Sequence, residues 1–165
     1  MKKLLFFPLI LLVLFTVTSC NDDDDDTPAP VFTETEQMIF GNWKMHSFNE
    51  DYYDDNGDVV HNISQDNLNN LFEYQEDGTF RFKGEEDENW SNGKFVIEET
   101  GGEKKFVVLP ASGNRAEATT IYTIETLTAT EMVLIDAYDY APYNDENGNE
   151  VISRRVVNTY NFQKL

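Results

Sequence analysis

The stretch "LFEYQEDGTFRFKG" (residues 71–84) constrains the fold more than any other part of this chain. Phe72 and Tyr74 flank Glu73 before Asp77-Gly78, and Phe80 and Phe82 flank Arg81 after it. A period of two puts all four rings on one face of a sheet and the charges on the other. Asp-Gly between two such runs is a hairpin signal, because a type I′ turn needs positive φ at both central residues. Asn56-Gly57, Asn92-Gly93 and Asn147-Gly148 repeat the signal, and Gly101-Gly102 adds a fifth turn.

After Met38 no segment carries a long helical stripe. Short runs rich in Val, Ile, Thr, Phe and Tyr predict strands near residues 43–49, 71–75, 79–83, 93–98, 104–109, 119–126, 131–138 and 152–163. Eight strands in mostly sequential hairpins fit an antiparallel up-and-down barrel or a sandwich. Residues 50–67 and 139–151 are acidic and rich in Tyr and Asn, and read as extended loops with a helical turn near 64–70. Alternation assigns Trp43, Phe72, Tyr74, Phe80, Phe82, Phe95, Met132 and Leu134 to the interior wall, with Ile97 and Val108. In a barrel those first eight are the candidate ligand-binding side chains, since eight strands enclose either a small ligand or a filled core.

The N-terminus has a different chemistry. Met1-Lys2-Lys3 is a short positive segment, and the apolar stretch of residues 4–17 is too short to span a bilayer but suits a signal peptide. Val17-Thr18-Ser19-Cys20 then resembles the lipobox of bacterial lipoproteins. The resemblance implies a cleaved signal peptide over residues 1–19, lipidation (palmitate or a similar acyl chain) at Cys20, and anchorage in a membrane. Several acyl chains exceed the threshold for stable anchoring, at about 0.8 kcal/mol per buried CH₂. Residues 20–37 hold five consecutive Asp, Pro28 and Pro30, and read as a disordered acidic tether with a reach of ~60 Å. An acidic run directly behind the lipidated Cys resembles a surface-export signal of one group of Gram-negative bacteria. That implies the outer membrane, with the chain facing the cell surface; the alternative is a periplasm-facing anchor.

Residues 38–165 form the folded domain. There Gly41-Asn42-Trp43 resembles the G-x-W motif of lipocalins, and the closing "NTYNFQKL" fits the same pattern. Lipoproteins with a lipocalin-like domain share a layout of G-x-W, an "F-x-x-D-G-T-F" hairpin and a late "L-T-x-T-E-M-V-L" strand. The last two are here residues 72–80, slightly stretched, and 127–134. The resemblance implies an all-β, eight-stranded lipocalin-like barrel. It also implies that the Trp sits at the closed end beneath a basic side chain, for which Arg154, Arg155 and Lys164 are the candidates. The disulfide seen in many secreted lipocalins is absent, since Cys20 is the single cysteine.

Charge narrows the partners. A formal net charge of −19, with 12 basic against 31 acidic residues and no basic cluster, opposes nucleic-acid binding. It equally opposes electrostatic attachment to anionic lipid. "DYYDDNGDV" fails as an EF-hand, because aligning Gly57 puts Tyr52 at the first ligand position and Leu68 at the bidentate Glu. "YNDENGNEV" fails likewise, with Tyr143 first and Arg154 last, so both read as turns. His46 and His61 lack a third convergent ligand for zinc. "PASGNR" reads as a turn, not a nucleophile elbow, and Glu85-Glu86-Asp87-Glu88 as a solvated loop. Tyr52, Tyr53, Trp90, Tyr138, Tyr140 and Tyr143 read as packing over a barrel mouth, or else as a face for stacking sugars or a protein.

The expected function is therefore non-catalytic binding of a small hydrophobic or amphipathic ligand by a membrane-anchored barrel, with no cofactor and no metal. The alternative is an interaction module that contacts an envelope protein or glycan through its acidic, Tyr-rich loops.

Overall fold

The computed structural model describes residues 31–110, 113 and 120–165. The segment read as a signal peptide, Cys20, the Asp run and Arg115 lie outside the described residues. A 3-10 turn, Glu36–Ile39, leads into β1 (Gly41–Tyr53), followed by β2 (Val59–Tyr74), β3 (Thr79–Lys83), β4 (Ser91–Thr100) and β5 (Glu103–Leu109). Then come β6 (Thr120–Leu127), β7 (Glu131–Asp139), the short β8 (Pro142–Asn144) and β9 (Glu150–Ile152), and β10 (Arg155–Lys164). β1 to β7 and β10 close an antiparallel barrel in the order β1-β10-β7-β6-β5-β4-β3-β2, and β8-β9 form a separate two-stranded ribbon. This is the eight-stranded up-and-down barrel that the lipocalin resemblance implied. Closure leaves the barrel without an unpaired edge.

The number of barrel strands agrees with the sequence, but β1 and β2 differ from expectation. Residues 50–67 are not a loop: β1 and β2 stay paired out to Tyr53↔Val59. Polar residues dominate that extension and its few apolar ones, Tyr52, Val59, Val60 and Ile63, do not alternate, so no period-two signal marks it. It is held by the backbone ladder and by cross-strand pairs: Asn62 Nδ2 donates to Asp51 Oδ1 at 2.7 Å, and Ser64 Oγ to Asn49 Oδ1 at 2.7 Å. In place of the helical turn near 64–70 there is a bulge between the pairs Met45↔Asn70 and Ser47↔Asp66, with Asn67 at φ 60. Asn tolerates that conformation better than most residues, and a bulge bends the ribbon. Residues 139–151 likewise contain the β8-β9 hairpin, and the expected last strand breaks at Ser153, whose Oγ donates to Ala141 O at 3.0 Å.

The turn chemistry also needs correction. At 54–58, 75–79 and 145–149 the loops are three residues long, with Gly57, Gly78 and Gly148 at positive φ and no positive φ at the preceding Asn or Asp. Gly57 N donates to Asp54 O at 3.2 Å while Asp54 N donates to Asp58 O at 3.0 Å, and the other two loops repeat this pair of bonds. That is a type I turn closed by a glycine bulge, the next most common hairpin solution. Gly101-Gly102, with φ 64 and 84, has the positive pair that I′ requires. Asn92-Gly93 is no turn at all; it lies inside β4, opposite Arg81 and Phe80. A Cβ at Gly93 would lie 2.5 Å from the Phe80 ring, so glycine here lets a core ring approach the backbone.

Ile39, Trp43, Tyr74, Phe80, Phe95, Phe106, Met132, Leu134 and Phe162 form the main buried cluster. Fully burying a side chain of this size stabilises by roughly 1.5–3 kcal/mol. Trp43 is wholly buried at the end where the chain enters, and its Nε1 donates to Ile39 O at 2.6 Å. Phe32, within the span read as tether, packs edge-on to Phe40 at 5.0 Å. Glu36 pairs with Lys104 at 3.0 Å. Burial works to raise the Glu36 pKa, but the Thr33 and Lys104 hydrogen bonds outweigh it and hold the carboxyl below its ordinary value.

Candidate functional site

Above the Trp43 plug the barrel keeps a cavity of about 270 Å³. Phe72, Tyr74, Phe80, Phe82 and Leu134, all assigned to the interior from alternation, line it. Val108 lines it as well. Trp43, Phe95 and Met132 do not; each is almost wholly buried in the packed end beneath. The cavity is completed by Met45, Phe106, Thr120, Tyr122, Tyr160 and Phe162, which the sequence reading left unassigned. A period of two along β5 from Val108 would have found Phe106, and Tyr122 follows from the β5–β6 register that sets it opposite Phe106. Met45 and Tyr160 need the β1–β10 register, because a bulge between Met45 and Ser47 shifts the alternation.

The walls are aromatic and interlocked. Phe72 stacks on Phe82 at 5.9 Å and meets Phe162 edge-on at 5.3 Å, and Tyr122 meets Tyr160 edge-on at 5.3 Å. Burial pushes the Tyr74 phenol far above its ordinary range. Burial also raises Tyr160, as do the charges of Asp136, Tyr122, Tyr138 and Glu50. These phenols therefore stay neutral and add donors to an otherwise apolar wall.

The three adjoining strands β1, β10 and β7 set inward residues in rows. Phe48, Tyr160 and Leu134 form one row, Glu50, Asn158 and Asp136 the next, and Tyr52, Val156 and Tyr138 the one beyond. Apolar wall thus gives way to an acidic row within one pleat. Tyr138 Oη donates to Glu50 Oε1 at 3.1 Å. Burial raises the Asp136 carboxyl, opposed by the adjacent Asn158 amide and reinforced by the charge of Glu50. Tyr52 is pushed up to about 12 by burial and then by Glu50.

The tyrosines read as mouth residues separate into two kinds. Tyr52 is buried with Val156 and Ala141, and Tyr143 packs on that cluster. His61 stacks on Tyr143 at 5.0 Å, an aromatic contact and not a ligand geometry. Tyr140, 64% exposed, lies under the Arg154 guanidinium at 4.6 Å, and Trp90 under that of Arg81 at 4.6 Å. Tyr53 borders an open groove with Asp54, Asp55, Arg154 and Arg155. His46 sits exposed at the β1 bulge. Among the described residues no three His, Cys, Asp or Glu side chains are grouped to hold a metal ion. Of the three candidate cations for the closed end, Lys164 is the one over Trp43. Of "PASGNR", Pro110 and Gly113 are described, and Gly113 N donates to Pro110 O at 2.8 Å.

No model of a known protein family matches the chain, and no curated protein matches it. Among solved structures the chain is similar to a lipocalin-like protein from Bacteroides uniformis. The two share 15% identity and a TM-score of 0.40, over 78% of this chain and 99% of that one.

Proposed function

We propose that this protein is a non-catalytic binding protein whose barrel takes a small hydrophobic or amphipathic ligand. The observation that carries the reading is the cavity of about 270 Å³ walled by Phe72, Phe82, Tyr122, Tyr160 and Phe162. It lies just under the usual range for ligand pockets, so a short chain or a small aromatic molecule fits better than a large cofactor. A neutral fluorescent probe, N-phenyl-naphthylamine, tests this by titration. Saturable one-to-one binding, lost when Val108→Trp fills the cavity, is the expected result; fluorescence that never saturates refutes the reading.

The lipobox-like Val17-Thr18-Ser19-Cys20 supports a lipid anchor at Cys20 in the outer membrane, and the Asp run behind it supports surface exposure. On that reading the tether enters at the Trp43 end and the acidic row points away from the lipid. Cys20→Ala should move the protein to the soluble fraction, and protease shaving of intact cells should remove the wild-type domain. Protection until the outer membrane is broken would mean a periplasm-facing anchor. A second reading, docking to an envelope protein or glycan, rests on Tyr140, 64% exposed just before the β8-β9 ribbon, and Ile152, 57% exposed at its end.

A further inference from the structure

The row Glu50, Asn158, Asp136 is an unusual thing to find beside an apolar cavity. Asn158 is 7% exposed, and Asp136 lies next to it on the neighbouring strand with Leu134 two residues below. Asp136 Oδ1 and Asn158 Oδ1 are both buried and lack a hydrogen-bond partner. Both orphans are acceptors, and an acceptor left unpaired in a protein interior loses the hydrogen bond that water gave it. Glu50 stands on the other flank of Asn158, about 10 Å from Asp136 across two strand spacings. Among the described residues no Lys or Arg forms an ion pair with either carboxylate. Their charge reaches the cavity: Asp136 acts on both Tyr122 and Tyr160, which line it.

We infer that the barrel selects an amphipathic cation, a primary amine on a short apolar chain or ring, with its ammonium against Asp136 and Asn158 and its tail among Phe72, Phe82 and Tyr160. An ammonium brings what the row lacks, N–H donors for the two orphaned oxygens and positive charge for two carboxylates in a low-dielectric site. The Tyr138 hydroxyl, from the next row, donates to Glu50 Oε1. A neutral ligand satisfies the acceptors only in part and leaves the charge uncompensated. An anion adds a third negative group.

The inference rests on the cavity reading above, and one calorimetric titration separates the two. Octylamine, octanol and octanoate share a chain and differ in the head. For the wild-type protein octylamine should bind at least about ten-fold tighter than octanol, with octanoate weakest, as one charge-assisted contact implies. In Asp136→Asn, and independently in Glu50→Gln, the amine-to-alcohol ratio should fall toward one; residual octanol binding reports that the variant is folded. Octanol binding as tightly as octylamine in the wild type overturns the amine inference and leaves the cavity reading standing. Failure of all three to bind overturns both.

Discussion

The Lys164 ammonium lies 5.2 Å from the centre of the Trp43 ring and donates a 2.9 Å hydrogen bond to Met38 O. The first strand's aromatic plug and the last strand's cation thereby close the barrel at the end where the chain enters. Trp43→Ala should destabilise by about 3–5 kcal/mol, as other buried Trp truncations do. Lys164→Met removes a cation–π contact and a hydrogen bond but keeps the apolar stem, and should cost about 1 kcal/mol. Urea unfolding followed by circular dichroism measures both.

Gly93 and Phe80 are coupled by contact, since a Cβ at residue 93 would meet the Phe80 ring at 2.5 Å. Gly93→Ala should therefore destabilise by roughly 1–3 kcal/mol through overpacking. In a Phe80→Leu background the same change should cost clearly less. A double-mutant cycle with no interaction energy would show that the ring does not impose the glycine.

Asp54, Asp77 and Asp145 cap the three bulged turns by accepting hydrogen bonds. Asp54 does so chiefly from the Asp58 backbone, Asp77 from the Thr79 hydroxyl and Asp145 from the Asn149 backbone. Each carboxyl is held below 3.8 in the folded chain. A depressed folded pKa gives stability that is present above the unfolded value and lost as pH falls through the folded one. The urea midpoint should therefore drop as pH falls below the ordinary aspartate range of about 4. In the triple Asp→Asn variant, which keeps the turn geometry, that drop should be shallower.

Asp136 has the opposite sign. Burial, the largest influence on it, raises its carboxyl above 3.8, so its contribution is most favourable when protonated and is lost as pH rises through the folded value. Asp136→Asn should accordingly raise the unfolding midpoint at neutral pH, with the gain fading at low pH. Loss of stability at neutral pH instead would mean that the carboxylate supports the barrel. A stabilising loss of charge is what a site retained for binding predicts.

Val108 lines the cavity from β5 and is only half-buried. Val108→Trp should abolish uptake of the neutral probe while shifting the unfolding midpoint little, by about 1–3 kcal/mol at most. Probe binding at wild-type affinity in this variant would place the probe elsewhere on the surface.

The eight barrel strands, the all-β class and the inward set Phe72, Tyr74, Phe80, Phe82 and Leu134 are legible in the sequence alone, because alternation and most glycine turns are local properties of a chain. The sequence also sets Trp43 apart by the G-x-W pattern. Tertiary structure decided the rest. Closure of β1 on β10 chose barrel over sandwich, and chose Lys164 over Arg154 and Arg155 as the partner of Trp43. The division between plug and cavity depends on where the rings interlock, so Phe95 and Phe72, alike in sequence, have different places. Glu50, Asn158 and Asp136 lie in segments that read as polar or mixed, and nothing local marks them as neighbours. Only the register of β1, β10 and β7 sets them in one inward row, since a strand specifies which face a side chain takes but not what stands opposite it.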